Sequence, residues 1–309
     1  MLKEMTLFGE RDKVAEAIGR LRSFEPQEGY YVAFSGGKDS QCVYHLCEMA
    51  GVKFDAHYSV TSVDPPELVR FIKTQYPNVA FDYPRDKDGK VITMWNLIPK
   101  LGIPPTRYQR YCCARLKEIS GKGRVTVTGV RWDESIRRKK LHGVVDVQVK
   151  DKEIIEDALQ SNESAKTNDR GGLIMNDDND QSRRIVENCY RTRKTIVNPI
   201  VDWLEEDVWE FLNEVVKVPH CEMYDQGYTR LGCIGCPMMR APYQIRDFER
   251  YPKHREAYVR AFDRMLKVAK ENGVVHRANW SDGESVMKWW LRDEPEDKND
   301  RLFEEEEDE

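Results

Sequence analysis

Two short stretches hold residue types suited to chemistry. The first, Ser35-Gly36-Gly37-Lys38-Asp39-Ser40, follows the apolar run YYVAF (30–34) and precedes residues at helical spacing. Two glycines let a backbone approach a ligand, and a helix that starts there turns unpaired N–H groups outward, which attracts phosphate. Lys38 adds a cation, Ser35 and Ser40 add hydroxyl donors, and Asp39 adds a carboxylate suited to Mg²⁺. The spacing is not G-x-x-x-x-G-K-[ST], so the common phosphate loop is excluded. The second stretch is a pair of cysteine pairs, Cys112-Cys113 and Cys233-x-x-Cys236. A C-x-x-C loop presents two thiolates to one metal, and Gly232 and Gly235 are expected to keep that loop pliable.

Elements that position these residues follow from patterning. Residues 13–24 and 38–50 have apolar positions at helical spacing, and Gly51 is a suitable C-cap. YYVAF, KFDAHYSV, VAFDYP and RVTVTGV read as strands, with the helix VITMWNLIPKLG between the last two. Strands alternating with helices give an α/β fold, a doubly wound, mostly parallel sheet covered on both faces. Asp64 opens DPPE as a helix cap, and Asp202 caps a helix carrying Trp203, Val208, Trp209 and Leu212. Residues 145–194 are polar and rich in turn formers, which predicts an inserted, mobile loop. Residues 248–273 read as one long amphipathic helix, and EEEEDE at 304–309 as a solvated tail. The expected division is a nucleotide-binding domain over 1–240, with the insert, and a helical extension over 241–309.

The 309 residues, formal charge of −5 and pI near 5.8 exclude a general affinity for nucleic acid or anionic membranes. No run nears the ~18 apolar residues of a membrane span, and the N-terminus is no secretion signal, so a cytoplasmic protein with no membrane partner is expected. In that compartment the eight cysteines are metal ligands, reactive thiols or core fillers rather than disulfides. Cys42 and Cys47 are expected in the core, while Cys189 reads as a free surface thiol or a mobile reactive one. The local basic stretch RRKK (137–140) hints at nucleic acid, with a solvated loop as its plainer reading.

SGGKDS, RYCCARLKE (110–118), TGVRWDES (128–135), NPIVDWLEEDVWEFL (198–212) and YDQGYTRLGCIGC (224–236) together resemble the phosphoadenylyl-sulfate (PAPS) reductase family. That family belongs to the PP-loop ATP pyrophosphatase (adenine nucleotide alpha hydrolase-like) superfamily, whose members cleave ATP between the α- and β-phosphates. The resemblance spans roughly residues 28–240. It implies an adenine nucleotide over the strand ends, held by Ser35, Gly36, Gly37, Lys38, Asp39 and Ser40. It implies that Arg131 faces the anionic end of the substrate, a surface ion pair being the plainer reading. The set CC…CxxC is similar to that binding a [4Fe–4S] cluster in adenylyl-sulfate (APS) reductases, so Cys112, Cys113, Cys233 and Cys236 are candidate ligands; zinc on the same thiolates is the alternative.

Two departures shape the functional expectation. Family reductases carry a C-terminal cysteine nucleophile, whereas this sequence has no cysteine after Cys236. The complete SGGKDS instead resembles enzymes that adenylylate a substrate and release pyrophosphate. Three readings result. The first is an enzyme with Lys38, Asp39 and Arg131 as catalytic groups, using ATP and Mg²⁺ to adenylylate or thiolate an unknown acceptor. The second is a PAPS or APS reductase whose nucleophile is Cys189 or a partner's thiol. The third is a non-catalytic nucleotide-binding component of an assembly, with protein partners or as a homo-oligomer.

Overall fold

The structure is a computed structural model that describes all residues except 8, 119, 120, 122, 150, 190–193, 274–279 and 292–309. The expected acidic tail lies outside the described residues. Along the chain run β1 (Lys3–Thr6), β2 (Gly9–Asp12), α1 (Lys13–Ser23), β3 (Tyr30–Ala33), α2 (Lys38–Ala50), β4 (Phe54–Ser59), α3 (Pro66–Gln75) and β5 (Ala80–Asp82). There follow α4 (Met94–Leu101), α5 (Tyr111–Leu116), β6 (Thr126–Val127), α6 (Ile136–Leu141), β7 (Val145–Val147), α7 (Lys152–Ser161), β8 (Ala165–Thr167) and β9 (Leu173–Met175). The last elements are α8 (Asp180–Cys189), β10 (Thr195–Val197), α9 (Glu205–Glu210), α10 (Ala241–Arg250), α11 (Pro252–Glu271) and α12 (Gly283–Trp290).

The main sheet has the order β5-β4-β3-β6-β10-β7-β9-β8. The β5, β4, β3, β6 and β10 run is parallel, and β7, β9 and β8 continue it antiparallel. From β3 the chain moves outward to β4, while β6 lies on the other side of β3. The order therefore reverses between β3 and β6, which opens a crevice at their carboxyl ends, the usual ligand position in such sheets. Tyr30, Tyr31 and Val32 are buried, as a strand covered on both faces requires. The α/β class read from the sequence is thus observed.

The chain divides into two units, and not at residue 240. One comprises residues 1–60, 66–82 and 119–231, with the sheet; the other comprises 61–65, 83–118 and 232–309. Each unit has its own apolar core, the first centred on residues such as Val32, Leu46 and Trp203, the second on Ile98, Tyr258, Phe262 and Trp290.

Three further expectations need correction. Residues 145–194 are not a structureless loop: β7, α7, β8, β9 and α8 lie there and extend the sheet. Their strands are three residues long, too short for periodicity to reveal amid solvated helices. The long helix over 248–273 is two helices, broken at Tyr251 because Pro252 disfavours helical geometry in the residue before it. Neither aspartate caps as expected. Asp64 accepts hydrogen bonds from Thr61 N and Oγ1 (2.8 and 2.7 Å), and Asp202 is held by Arg20 and Arg11 (2.8 and 2.6 Å). Asp207 caps α9 instead, accepting from Leu204 N at 2.8 Å.

Candidate functional site

At the switch point, β3 ends and Gly36 turns the chain into α2. Gly36 has φ +73°, and a Cβ there would fall within 2.7–2.8 Å of Ile72 and Leu68, so both conformation and space demand glycine. Ser40 closes the turn: its Oγ donates to Gly37 O (2.8 Å) and accepts from Ser35 N (3.2 Å). Gly129, after β6, lets that strand pass close to the loop, since a Cβ would sit 2.8 Å from the Asp39 backbone.

Ser35, Gly37, Lys38, Asp39 and Ser40 line one cleft of about 160 Å³. They share it with three residues not singled out from sequence, Glu134, Tyr224 and Arg230, and with Arg138 of the basic stretch RRKK. The Tyr224 hydroxyl accepts from the Lys38 backbone N–H at 2.9 Å, occupying an amide at the start of α2. Burial pushes the Tyr224 phenol up, so it remains a protonated donor. Lys38 is buried, and its Nζ donates to Thr229 O at 3.2 Å and lies 3.7 Å from both Asp39 and Glu205. Glu134 holds two cations, Arg138 at 2.7 Å and Arg230 at 3.3 Å. Burial moves the Arg138 guanidinium down from its ordinary value; Glu134 opposes this, and Arg230 and Arg131 reinforce it by repulsion.

Arg131 departs from both readings of it. It is 1% exposed, so it is no surface ion pair. Its Nε donates to Asp39 Oδ1 at 2.7 Å, and its Nη1 to Asp133 (3.2 Å) and Trp203 O (3.3 Å). The guanidinium fixes Asp39 rather than lining the cleft. Asp39 therefore has one oxygen on Arg131 and the other near Lys38, a carboxylate already neutralised.

The four cysteines belong to the second unit. Cys112 and Cys113 start α5, and Ile234, inside the C-x-x-C loop, is buried with its N–H on Val63 O (2.8 Å). The loop is pinned rather than pliable. Gly235 N donates to Asp247 (3.2 Å), Gln244 donates to Gly235 O (3.2 Å), and Tyr258 donates to Ile234 O (3.3 Å). Gly235 has φ +66°, and its missing Cβ would overlap the Phe248 ring at 2.2 Å.

The sulfurs form one electrostatic group. A hydrogen bond from Cys112, aided by Arg110 and Lys117 against burial, lowers the Cys113 thiol from its ordinary value. The same bond, burial and the sulfurs of Cys113, Cys233 and Cys236 push Cys112 up. Arg110 Nη2 lies 3.5 Å from Cys113 Sγ, and Thr61 Oγ1 lies 3.6 Å from Cys233 Sγ. Cys233 is the largest influence raising the Lys117 ammonium. Among the described residues no group of three or more His, Cys, Asp or Glu is arranged to hold a metal ion as it stands. By donor type, four thiols beside two cations fit a [4Fe–4S] cluster or zinc. Cys42, Cys47, Cys189 and Cys221 are buried, so Cys189 is not the expected surface thiol.

Residues 29–239 match the phosphoadenosine phosphosulfate reductase domain family. An uncharacterized protein of Methanocaldococcus jannaschii is 26% identical over 263 residues, covering 80% of this chain and 50% of the relative. The chain thus spans about half the length of that relative. Shorter matches include an adenosine 5'-phosphosulfate reductase of Allochromatium vinosum, 40% identical over 40 residues (13% of this chain, 15% of the relative). A probable FAD synthase of Caenorhabditis briggsae is 53% identical over 36 residues (12% and 7%). No described helix is long and apolar enough to cross a membrane.

Proposed function

Given that the chain belongs to the phosphoadenosine phosphosulfate reductase domain family, we propose that it binds ATP at the SGGKDS loop and cleaves it between the α- and β-phosphates. The observation that carries this reading is the convergence of the α2 N-terminus, Lys38, Arg138 and Arg230 on one cleft. An acceptor oxygen or sulfur attacks the α-phosphorus; the bond to the bridging oxygen breaks, and its electron pair leaves with pyrophosphate. Lys38 and the α2 amides hold the departing phosphates, and Arg138 and Arg230 exchange Glu134 for phosphate oxygens. Charge neutralisation of this kind is the main source of rate in phosphoryl chemistry. Arg131 acts through Asp39 as a positioning residue. Cys112, Cys113, Cys233 and Cys236 would hold a [4Fe–4S] cluster, which supplies electron transfer or sulfur handling when bound.

Pyrophosphate release from ATP tests the assignment. Lys38→Ala and Asp39→Ala are expected to lower it at least a hundredfold while circular dichroism stays native. Unchanged turnover in both variants would reject it.

A sulfonucleotide reductase is the second reading, favoured by the family itself. The burial of Cys189 removes its internal thiol from easy access, leaving a partner's thiol as the nucleophile. Sulfite release from PAPS or APS in the presence of thioredoxin distinguishes this chemistry.

A further inference from the structure

The second unit carries a surface that nucleotide cleavage does not use. Helix α11 buries Tyr258, Ala261, Phe262, Met265 and Ala269. Its opposite face places Lys253, Arg260, Arg264 and Lys267 in one exposed line. At spacings of seven, four and three residues these four side chains share one stripe, about 21 Å long at 1.5 Å per residue. Glu256 flanks this stripe, the exposed Glu271 ends it, and Asp263 lines the groove beside it. Glu256 pairs weakly with Arg260 at 3.5 Å, both being well exposed, and Asp263 is turned to Gly283 N at 2.6 Å.

Beside the stripe, α4 brings an indole. Trp95, Ala257, Arg260, Asp263 and Arg264 line an open groove of about 530 Å³. Trp95 is fixed edge-on against Tyr258, with centroids 5.2 Å apart, and Arg264 Nη2 donates to Trp95 O at 2.9 Å. An aromatic ring lining an open groove together with two arginines is what single strands exploit: bases stack on the ring and phosphates follow the cations. An acidic peptide would match the charge but has no use for the indole. A duplex would keep its bases stacked away from it.

We propose that the α4–α11 groove binds single-stranded nucleic acid, with Trp95 stacking a base and Lys253, Arg260, Arg264 and Lys267 following the backbone. The overall charge of −5 hides this because the cations are gathered on one helix face. The inference stands apart from the reaction proposed above and survives its failure.

The test is fluorescence anisotropy with labelled 12-nucleotide DNA and RNA strands, titrated with the full chain between 50 and 200 mM salt. Micromolar binding is expected, with a log–log salt slope of about −2 to −3 for three or four phosphate contacts. Arg260→Glu with Arg264→Glu should abolish binding, and Trp95→Ala should weaken it about tenfold. Trp95→Phe keeps a ring against Tyr258 and should retain most of the affinity, which separates stacking from damage to the fold. Absence of binding at 50 mM salt overturns the proposal. So does binding untouched by the double charge reversal. Equal competition by poly-glutamate or heparin, with no effect of Trp95→Ala, would reassign the face to acidic polymers in general. Preference for DNA over RNA, or the reverse, names the strand and supports the proposal either way.

Discussion

The side chains in the first cleft are mutually satisfied. Tyr224 covers an amide of α2, Glu134 holds Arg138 and Arg230, and Asp39 is held by Arg131. A phosphate entering this cleft replaces internal partners rather than filling bare space, so affinity depends on how readily each partner yields. Arg131 is the exception, because it is buried and bonded on three sides. Removing it leaves Asp39 without its main cation, and breaking a buried pair costs about 3 kcal/mol, less where Asp39 reaches solvent. Arg131→Ala is therefore expected to lower stability by about 2 kcal/mol in urea denaturation and to weaken ATP binding as the loop loosens. Arg131→Lys should recover part of the stability, since one ammonium cannot serve Asp39, Asp133 and Trp203 O together. Unaltered stability in Arg131→Ala would show that Asp39 does not depend on it.

At the scale of elements, glycines mark where the backbone itself builds a site. Gly232 and Gly235 look equivalent in the sequence, yet a Cβ at Gly232 meets nothing within 4 Å, while one at Gly235 strikes Phe248. Gly235→Ala is expected to cost about 2 kcal/mol or more, from a left-handed φ combined with overlap. It should also reduce the iron or zinc recovered with anaerobically purified protein. Gly232→Ala should leave both quantities near the parent values. Equal behaviour of the two variants, by thermal melting and metal analysis, would mean that the pinned loop has no part in holding the cysteines. The same scale explains which parts of the fold were legible. Runs such as YYVAF and the helix stopped by Gly51 announce themselves, because length and capping agree. The strands Val145–Val147, Ala165–Thr167 and Leu173–Met175 do not, because three residues within polar sequence carry no period.

Across the whole molecule, the SGGKDS turn into α2 was legible because glycines, a lysine and a following helix are contiguous. The rest of the cleft was less so. Tyr224 and Arg230 lie almost two hundred residues from Lys38, and only the fold brings them together. Arg138 was visible within RRKK but read as solvated, since charge runs rarely enter clefts; its pairing with Glu134 inside RWDES reaches across the extended Ser135 between two short helical segments, which spacing alone does not single out. On the reading proposed above, the substrate is an adenylate with several phosphates. Isothermal calorimetry with ATP on the parent protein and on Lys38→Ala addresses this most directly. Saturable heat is expected with the parent, and at least tenfold weaker binding in the variant. No heat with ATP, PAPS or APS, or identical curves for both proteins, would contradict it.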